Sequence, residues 1–378
     1  MKKYTLMIVF VVFSGACSGL LRGDPPAPKA VPKKTLPEIN EARRTGWQLA
    51  SLIIARLEAD DQKNFPGIQA WLKDYRQIAK GIDLKLAPDQ WPVINVDALT
   101  IRNGNFWQAY YEIAPGDPGL MLLHSGLLLS AGEANRAQYL LVIAGQRPGI
   151  PKEFRQAFDI ILAQTQKIRE KPNGLVMEGI KLFDKADFAG ALKKYQAALE
   201  LWPQNGFALY EAGMTVRDLQ RVAAGEKPLP PSAVMIDNKI KNSAEVTALF
   251  AKSRRHDPFQ INSYQGDDKE VIRRFLVLGK KVLPAWQNLA KNQNKQVDDA
   301  LLEQFAGACQ EASLDDLALV TRQILIARRI NYAPADHQFI GKSLNKLVPG
   351  KQIDGVLSRL ATGKLELRQL VVPEPVAP

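Results

Sequence analysis

The sequence has few of the side chains on which most enzymatic and metal sites depend. Two cysteines among 378 residues exclude a disulfide-stabilised scaffold, and three histidines leave few candidates for metal ligation or acid–base chemistry. No P-loop, glycine-rich dinucleotide loop, CxxC, HExxH or GxSxG pattern occurs. The sequence therefore predicts a protein that has no catalytic activity and needs no metal or cofactor.

The remaining polar candidates have structural explanations. Acid pairs at 267–268, 298–299 and 315–316 stand where helices are predicted to begin, and carboxylates are favoured there by the helix dipole. His256 stands at a predicted helix end, where the dipole favours a cation. We expect His124 and Cys309 to be packed inside the protein and His337 to lie on a helix surface.

The chain begins with the pattern of an export signal over residues 1–16. A basic start precedes an apolar run at 4–13, which is too short to span a bilayer, and small residues follow. The end of this segment resembles the lipobox of bacterial lipoproteins, which implies acylation of Cys17. Ser14 stands where that family prefers leucine, so cleavage by ordinary signal peptidase and simple secretion remain an alternative. By the family rule, Ser18 implies an outer-membrane location facing the periplasm.

Residues 17–37 are rich in proline and lysine, a composition that predicts an extended tether. The formal net charge of the whole chain is +11, which suggests anionic neighbours such as lipid headgroups. The lysines of the tether either rest on such headgroups or only keep the segment soluble.

The most informative stretch covers residues 172–205. Its apolar and small residues have helical spacing, interrupted once at 185–187, and Pro203 ends the second half. The pattern predicts two short amphipathic helices joined by a tight turn, with small residues where the two backbones come close.

This stretch resembles the tetratricopeptide repeat. The resemblance rests on Leu175-x2-Glu178-Gly179-x2-Leu182, Ala191-x3-Tyr195 and Pro203. An ordinary helical hairpin is the alternative. A degenerate copy follows the pattern from Leu122 to Pro148, and a further copy begins at Leu209 but is split by an insert over 223–242.

The resulting fold prediction is all-α, with a tetratricopeptide-like superhelix of helical hairpins and additional irregular helices. We expect N-terminal helices over 38–114, the repeat-like core over 115–258, a C-terminal helical region over 259–370 and a disordered tail over 371–378. An extra helix is predicted over 153–169, before the best repeat. In the C-terminal region, helices are predicted over 268–289, 296–312, 314–330, 335–347 and 352–361.

Two candidate binding surfaces follow. In such superhelices the first helix of each pair lines the concave face, and the residues expected there form an apolar groove for a peptide: Val176, Ile180, Phe183, Tyr210, Met214 and Arg217. The alternative is that the chain's own insert or its C-terminal helices cover these side chains. A second candidate surface is basic, because the segment 239–295 contains twelve basic residues and only five acidic ones. Its centre is expected at Arg254, Arg255, Arg273, Arg274, Lys280 and Lys281.

The functional expectation is a non-catalytic lipoprotein of a bacterial envelope that binds another envelope protein or a peptide segment. The basic surface would add an anionic lipid or a cell-wall polymer, and export removes the protein from nucleic acid. One alternative is a structural subunit of a secretion, pilus or polymer-export machine. Another is an envelope hydrolase with an unfamiliar site, although the chain lacks the Glu-Ser pair of the lysozyme-like transglycosylases.

Overall fold

The computed structural model describes residues 37–59, 66–112, 115–229, 241–266, 268–293, 295–329 and 333–348. All regular structure in these ranges is helical, and no strand occurs in them. The all-α prediction is confirmed. The predictions for the signal peptide, Cys17, the tether, the helix at 352–361 and the tail lie outside the described residues.

Fifteen α-helices follow one another in these ranges. They are α1 Pro37–Ala59, α2 Pro66–Ala79, α3 Val96–Leu99, α4 Gly104–Glu112, α5 Pro118–Ser130, α6 Ala134–Ala144, α7 Lys152–Phe183, α8 Phe188–Leu201, α9 Gly206–Ala223, α10 Ala244–His256, α11 Lys269–Val277, α12 Leu283–Lys291, α13 Asp299–Glu311, α14 Asp315–Arg329 and α15 Pro334–Leu347. A 3₁₀ turn at Ile261–Ser263 and a π turn at Leu278–Val282 complete the set.

Three helix pairs share one tight turn. Gly132, Ala186 and Ser313 each have a positive φ, of 84°, 60° and 58°. The next residue in each turn donates its N–H five residues back: Glu133 to Leu128 O, Asp187 to Leu182 O and Leu314 to Cys309 O, at 2.8–3.0 Å. This left-handed helix ending satisfies carbonyls that the helix leaves open. The pairs α5/α6, α7/α8 and α13/α14 therefore turn in the same way, and the last of them carries no repeat pattern in its sequence.

Helix α7 corrects the prediction of a separate helix at 153–169 followed by a new helix at 172. It runs unbroken over 32 residues with Pro172 inside it. A proline removes one helical hydrogen bond and crowds the preceding turn. Its buried stripe nevertheless continues in phase from Phe154 through Ile168 and Pro172 to Val176 and Gly179, so both halves bury the same face.

We call the main hydrophobic cluster the large core. It takes side chains from α1–α6, from α7 up to Ile168 and from the helices after Phe259. The predicted boundaries at 114/115 and 258/259 therefore do not separate different cores. At one crossing the backbones of α1 and α5 nearly touch, because a Cβ on Gly46 would lie 2.6 Å from Gly126 O and one on Gly126 would lie 2.7 Å from Gly46 O.

The repeat arm, as we call residues 172–223 with α10, has its own small clusters. One contains Val176, Tyr195 and four alanines of α8 and α9. The other packs Tyr210 and Met214 of α9 on Val246 and Phe250 of α10. Residues 230–240 of the predicted insert lie outside the described residues.

The helix predicted over 268–289 is confirmed in extent, but its middle differs. The π turn at Leu278–Val282 immediately precedes Pro284. A wider turn accommodates the missing N–H and the bulk of the proline ring.

Candidate functional site

The repeat arm contains one contact twice. A Cβ on Gly179 would lie 2.4 Å from Cε1 of Tyr195, and a Cβ on Gly213 would lie 2.8 Å from Cε1 of Phe250. In both hairpins the ring of the second helix therefore lies on the bare backbone of the first. Only glycine permits this approach, since any side chain would need the ring's space.

The structure corrects the predicted exposure of three groove residues. Val176 is fully buried between α7, α8 and α9, and Tyr210 and Met214 are only 9% and 8% exposed. Tyr210 stacks on Phe250 at 5.9 Å between ring centroids. Helix α10, the second helix of the same split repeat, covers Tyr210 and Met214. All three side chains therefore belong to the interior of the arm.

Arg217 is also buried, at 4% exposure. Its Nη1 donates to Oε1 of Gln265 at 3.1 Å, and its Nε lies 3.6 Å from Oδ1 of Asp218. Burial lowers the pKa of Arg217 and raises that of Asp218, although each charge partly offsets the effect on the other. The predicted groove residue Arg217 is therefore part of a buried ion pair.

Part of the accessible surface of the first helices is a mixed patch that we call the acidic strip. Ile180, Phe183 and Phe207 are partly buried and pack on the arm's cluster, Glu211 is partly buried, and Asp184 is exposed. Burial, and then the negative charge of Asp184, raise the pKa of Glu211 to about 8. The strip offers hydrophobic side chains beside carboxyl groups and suits a partner that brings a cation.

Sequence reasoning found Ile180 and Phe183 but missed Asp184 and Glu211. Both carboxyl groups directly follow a predicted groove residue, Phe183 and Tyr210. One residue is about 100° around a helix. The accessible face of each helix is therefore rotated by one residue from the predicted groove face at these points. The signal in the sequence was an acidic residue directly after an aromatic groove residue in both helices.

The predicted basic surface is largely paired within the chain. Arg254 and Arg274 both lie over the Tyr264 ring, at 5.4 and 5.3 Å from its centroid. Arg273 pairs with Glu270 and Lys281 with Glu311, both at 2.6 Å, and Arg255 lies 3.4 Å from Asp97. Lys280 is exposed. Most of these cations therefore hold α10, α11 and α13 in place.

A buried polar cluster, here called the polar joint, connects the repeat arm to the α5/α6 hairpin. Arg136 Nη1 donates to Asp97 Oδ1 at 2.8 Å, and Nδ1 of His256 lies 2.9 Å from Oε1 of Glu133. Tyr139 donates its hydroxyl proton to Asp257 at 2.6 Å. The helix dipole alone had explained His256, and the Glu133 partner, more than a hundred positions earlier in the chain, could not be read from local sequence.

The predicted structural roles of His124, Cys309, Asp268 and Asp298 are confirmed. His124 is 2% exposed and packs edge-on against Phe106, and burial, reinforced by the charge of Arg136, lowers its pKa to about 3. Cys309 is fully buried in α13, and burial raises the pKa of its thiol. Asp268 and Asp298 cap α11 and α13.

Two properties of the described residues bear on function. No group of three histidine, cysteine or acidic side chains among them is arranged to hold a metal ion. In the same residues, no helix combines the length and apolarity needed to cross a bilayer.

Comparison with known proteins identifies no relative. No protein-family model, no curated protein and no solved structure matches this chain. The class that the coordinates define is an all-helical protein built partly from hairpins that turn in the same way.

Proposed function

We propose that this protein is a non-catalytic scaffold of a bacterial envelope, with a tetratricopeptide-like superhelix that binds a segment of another envelope protein. An acyl chain on Cys17 would attach it to the outer membrane on the periplasmic side. The observation that carries the proposal is the acidic strip, which runs along the first helices of two consecutive hairpins that share the same glycine–ring contact.

The strip also specifies the partner's chemistry. Ile180, Phe183 and Phe207 offer apolar contact, while Asp184 and Glu211 offer carboxyl groups. A partner with hydrophobic anchors and a lysine or arginine would bury the former and neutralise the latter. Because the pKa of Glu211 is about 8, a cation that displaces its proton would bind more tightly as the pH rises through that value.

The test is purification of the full-length chain from native membranes, with mass spectrometry of its N-terminus and of co-purifying proteins. The set includes wild type, Cys17→Ala and Phe183→Ser, with Ile160→Ser as the matched control. Ile160 is on the same helix and is 47% exposed, but it lies about six helical turns before Phe183.

We expect an acylated Cys17 and one stoichiometric partner that Phe183→Ser loses and Ile160→Ser keeps. An unmodified, soluble protein without a partner would contradict both the anchor and the scaffold. A partner retained equally by all variants would move the binding site away from the strip.

A further inference from the structure

The loop between α2 and α3 carries a compact apolar patch. Leu84, Leu86 and Val93 are 48%, 43% and 95% exposed. The other large hydrophobic side chains exposed in the described residues are scattered over α1, α7, α9 and α11. Scattered cases are ordinary, whereas a cluster indicates a contact surface. We call residues 80–95 the apolar loop.

The apolar loop has a fixed conformation. Trp91 is buried at its base against Trp47, with 6.2 Å between ring centroids, and its indole N–H donates to Asp83 O at 2.8 Å. Two backbone turns are closed by hydrogen bonds: Leu86 N–H donates to Asp83 O, and Gln90 N–H donates to Ala87 O. The three apolar side chains are therefore held outward by a packed base.

Cationic side chains lie in and beside the apolar loop. Lys80 and Lys85 are exposed, and Nη2 of Arg44 donates to Leu86 O at 3.2 Å. Two acids, Asp83 and Asp89, lie in the same loop, and Asp89 is close enough to Arg43 to affect its pKa. With Arg44, three cations and two acids flank the exposed aliphatic tips, a composition that favours the interface of an anionic bilayer.

The position of the loop in the chain indicates which surface it meets. Arg43, Arg44 and Trp47 contact it from the first turns of α1, which begins at Pro37. The segment before Pro37 contains Cys17 and then Lys29, Lys33 and Lys34. An acyl chain on Cys17 would therefore tether the end of the molecule that carries the apolar loop.

We infer that the apolar loop inserts Leu84, Leu86 and Val93 into the surface of an anionic lipid bilayer, so that the protein contacts its membrane by this end. The inference rests on the proposed envelope location and adds a second membrane contact to the acyl anchor. Two weak attachments together give stable binding where one alone gives reversible binding.

The test measures depth at single positions in the full chain with Cys17→Ala, mixed with vesicles of phosphatidylethanolamine and phosphatidylglycerol. An environment-sensitive fluorophore is placed on Val93→Cys and, as a matched control, on Met177→Cys. We expect a quencher attached to the lipid chains to quench position 93 and leave position 177 bright, with iodide in the water doing the reverse. Equal iodide quenching at both positions would overturn the inference.

A second measurement uses unlabelled protein. Replacing Leu84, Leu86 and Val93 by serine should lower partition to these vesicles by about tenfold or more, while the same change at Leu52, Met177 and Val222 should leave it unchanged. Equal partition of both triple variants would also overturn the inference. Acylation of Cys17 and the partner are read separately by mass spectrometry of the native protein, so the anchor and scaffold can fail while the loop still inserts, and the reverse.

Discussion

The large core and the repeat arm are held together differently. The large core joins distant parts of the chain through big rings, as where Tyr139 packs on Phe259 and Trp286 at 4.3 and 5.0 Å. The arm buries mainly alanines and single rings between helices that follow one another in sequence. The comparison teaches that the stability of the arm depends on contacts between neighbouring helices, as in repeat proteins. A destabilising substitution in the large core should instead affect that core as a whole.

The largest effect should come from Gly46→Val. The new side chain would collide with Gly126 O and with Ser130 N, which a Cβ would approach to 2.6 and 2.8 Å. Because these are backbone atoms, we expect a loss of about 4 kcal/mol in the free energy of unfolding, above the usual cost of overpacking. Urea unfolding followed by circular dichroism measures this loss. A cost below about 1 kcal/mol would show that α1 and α5 can separate.

Tyr195→Ala should come next, at about 3 kcal/mol, because the ring is fully buried and fills the space over Gly179. The loss should be local. Amide exchange should accelerate over 172–223, while amides of α1 and α5 keep their protection. Uniform acceleration throughout the chain would mean that the arm and the large core unfold as one unit.

The next effect concerns pH. The pKa of Glu211 is about 8 in the folded protein, above the ordinary value of 4.5, so the folded state keeps a proton that the unfolded state has released. The free energy of unfolding should therefore fall as the pH rises from about 5 to 8, with a slope of up to about 1.4 kcal/mol per pH unit. Glu211→Gln should remove this dependence, which denaturation at a series of pH values can measure. An unchanged profile in the variant would assign the dependence to another group.

The smallest effect is a gain. Gly174 lies in the exposed interior of α7, and a Cβ there meets nothing within 4 Å. Gly174→Ala should stabilise the protein by about 0.5 kcal/mol through the lower entropy of its unfolded chain. Thermal unfolding beside Gly46→Val tests it, and a loss of stability would mean that Pro172 distorts α7 at this point.

The sequence predicted the helices better than their pairing. Local spacing was enough for the arm, where Gly179 and Tyr195 belong to one hairpin and stand at fixed separation. It was not enough for Gly46 and Gly126, since each is simply a glycine in its own helix until α1 and α5 meet. Both helices of the α13/α14 hairpin were predicted, but not the turn that it shares with the other hairpins, because Ser313 adopts a positive φ that usually marks glycine.

The candidate site shows the same limit. Ile180 and Phe183 were found because they belong to the first helix of a recognisable repeat. The burial of Val176, Tyr210 and Met214, by contrast, depends on how closely neighbouring helices pack. Arg217 was predicted to line the peptide groove, and only the structure brings Gln265 beside it. Side-chain burial thus depends on tertiary packing. Helical spacing alone locates the buried face only to within about one residue around the helix.

The most direct test of the scaffold proposal is site-specific photocrosslinking in the native envelope. A photoreactive phenylalanine analogue replaces Phe183 on the strip in one strain and Ile160, near the other end of α7, in another, in the otherwise unchanged chain. The proposal predicts one discrete crosslinked species from position 183, lost when Glu211→Lys is added, and none from position 160. The same products from both positions, or none from either, would contradict it.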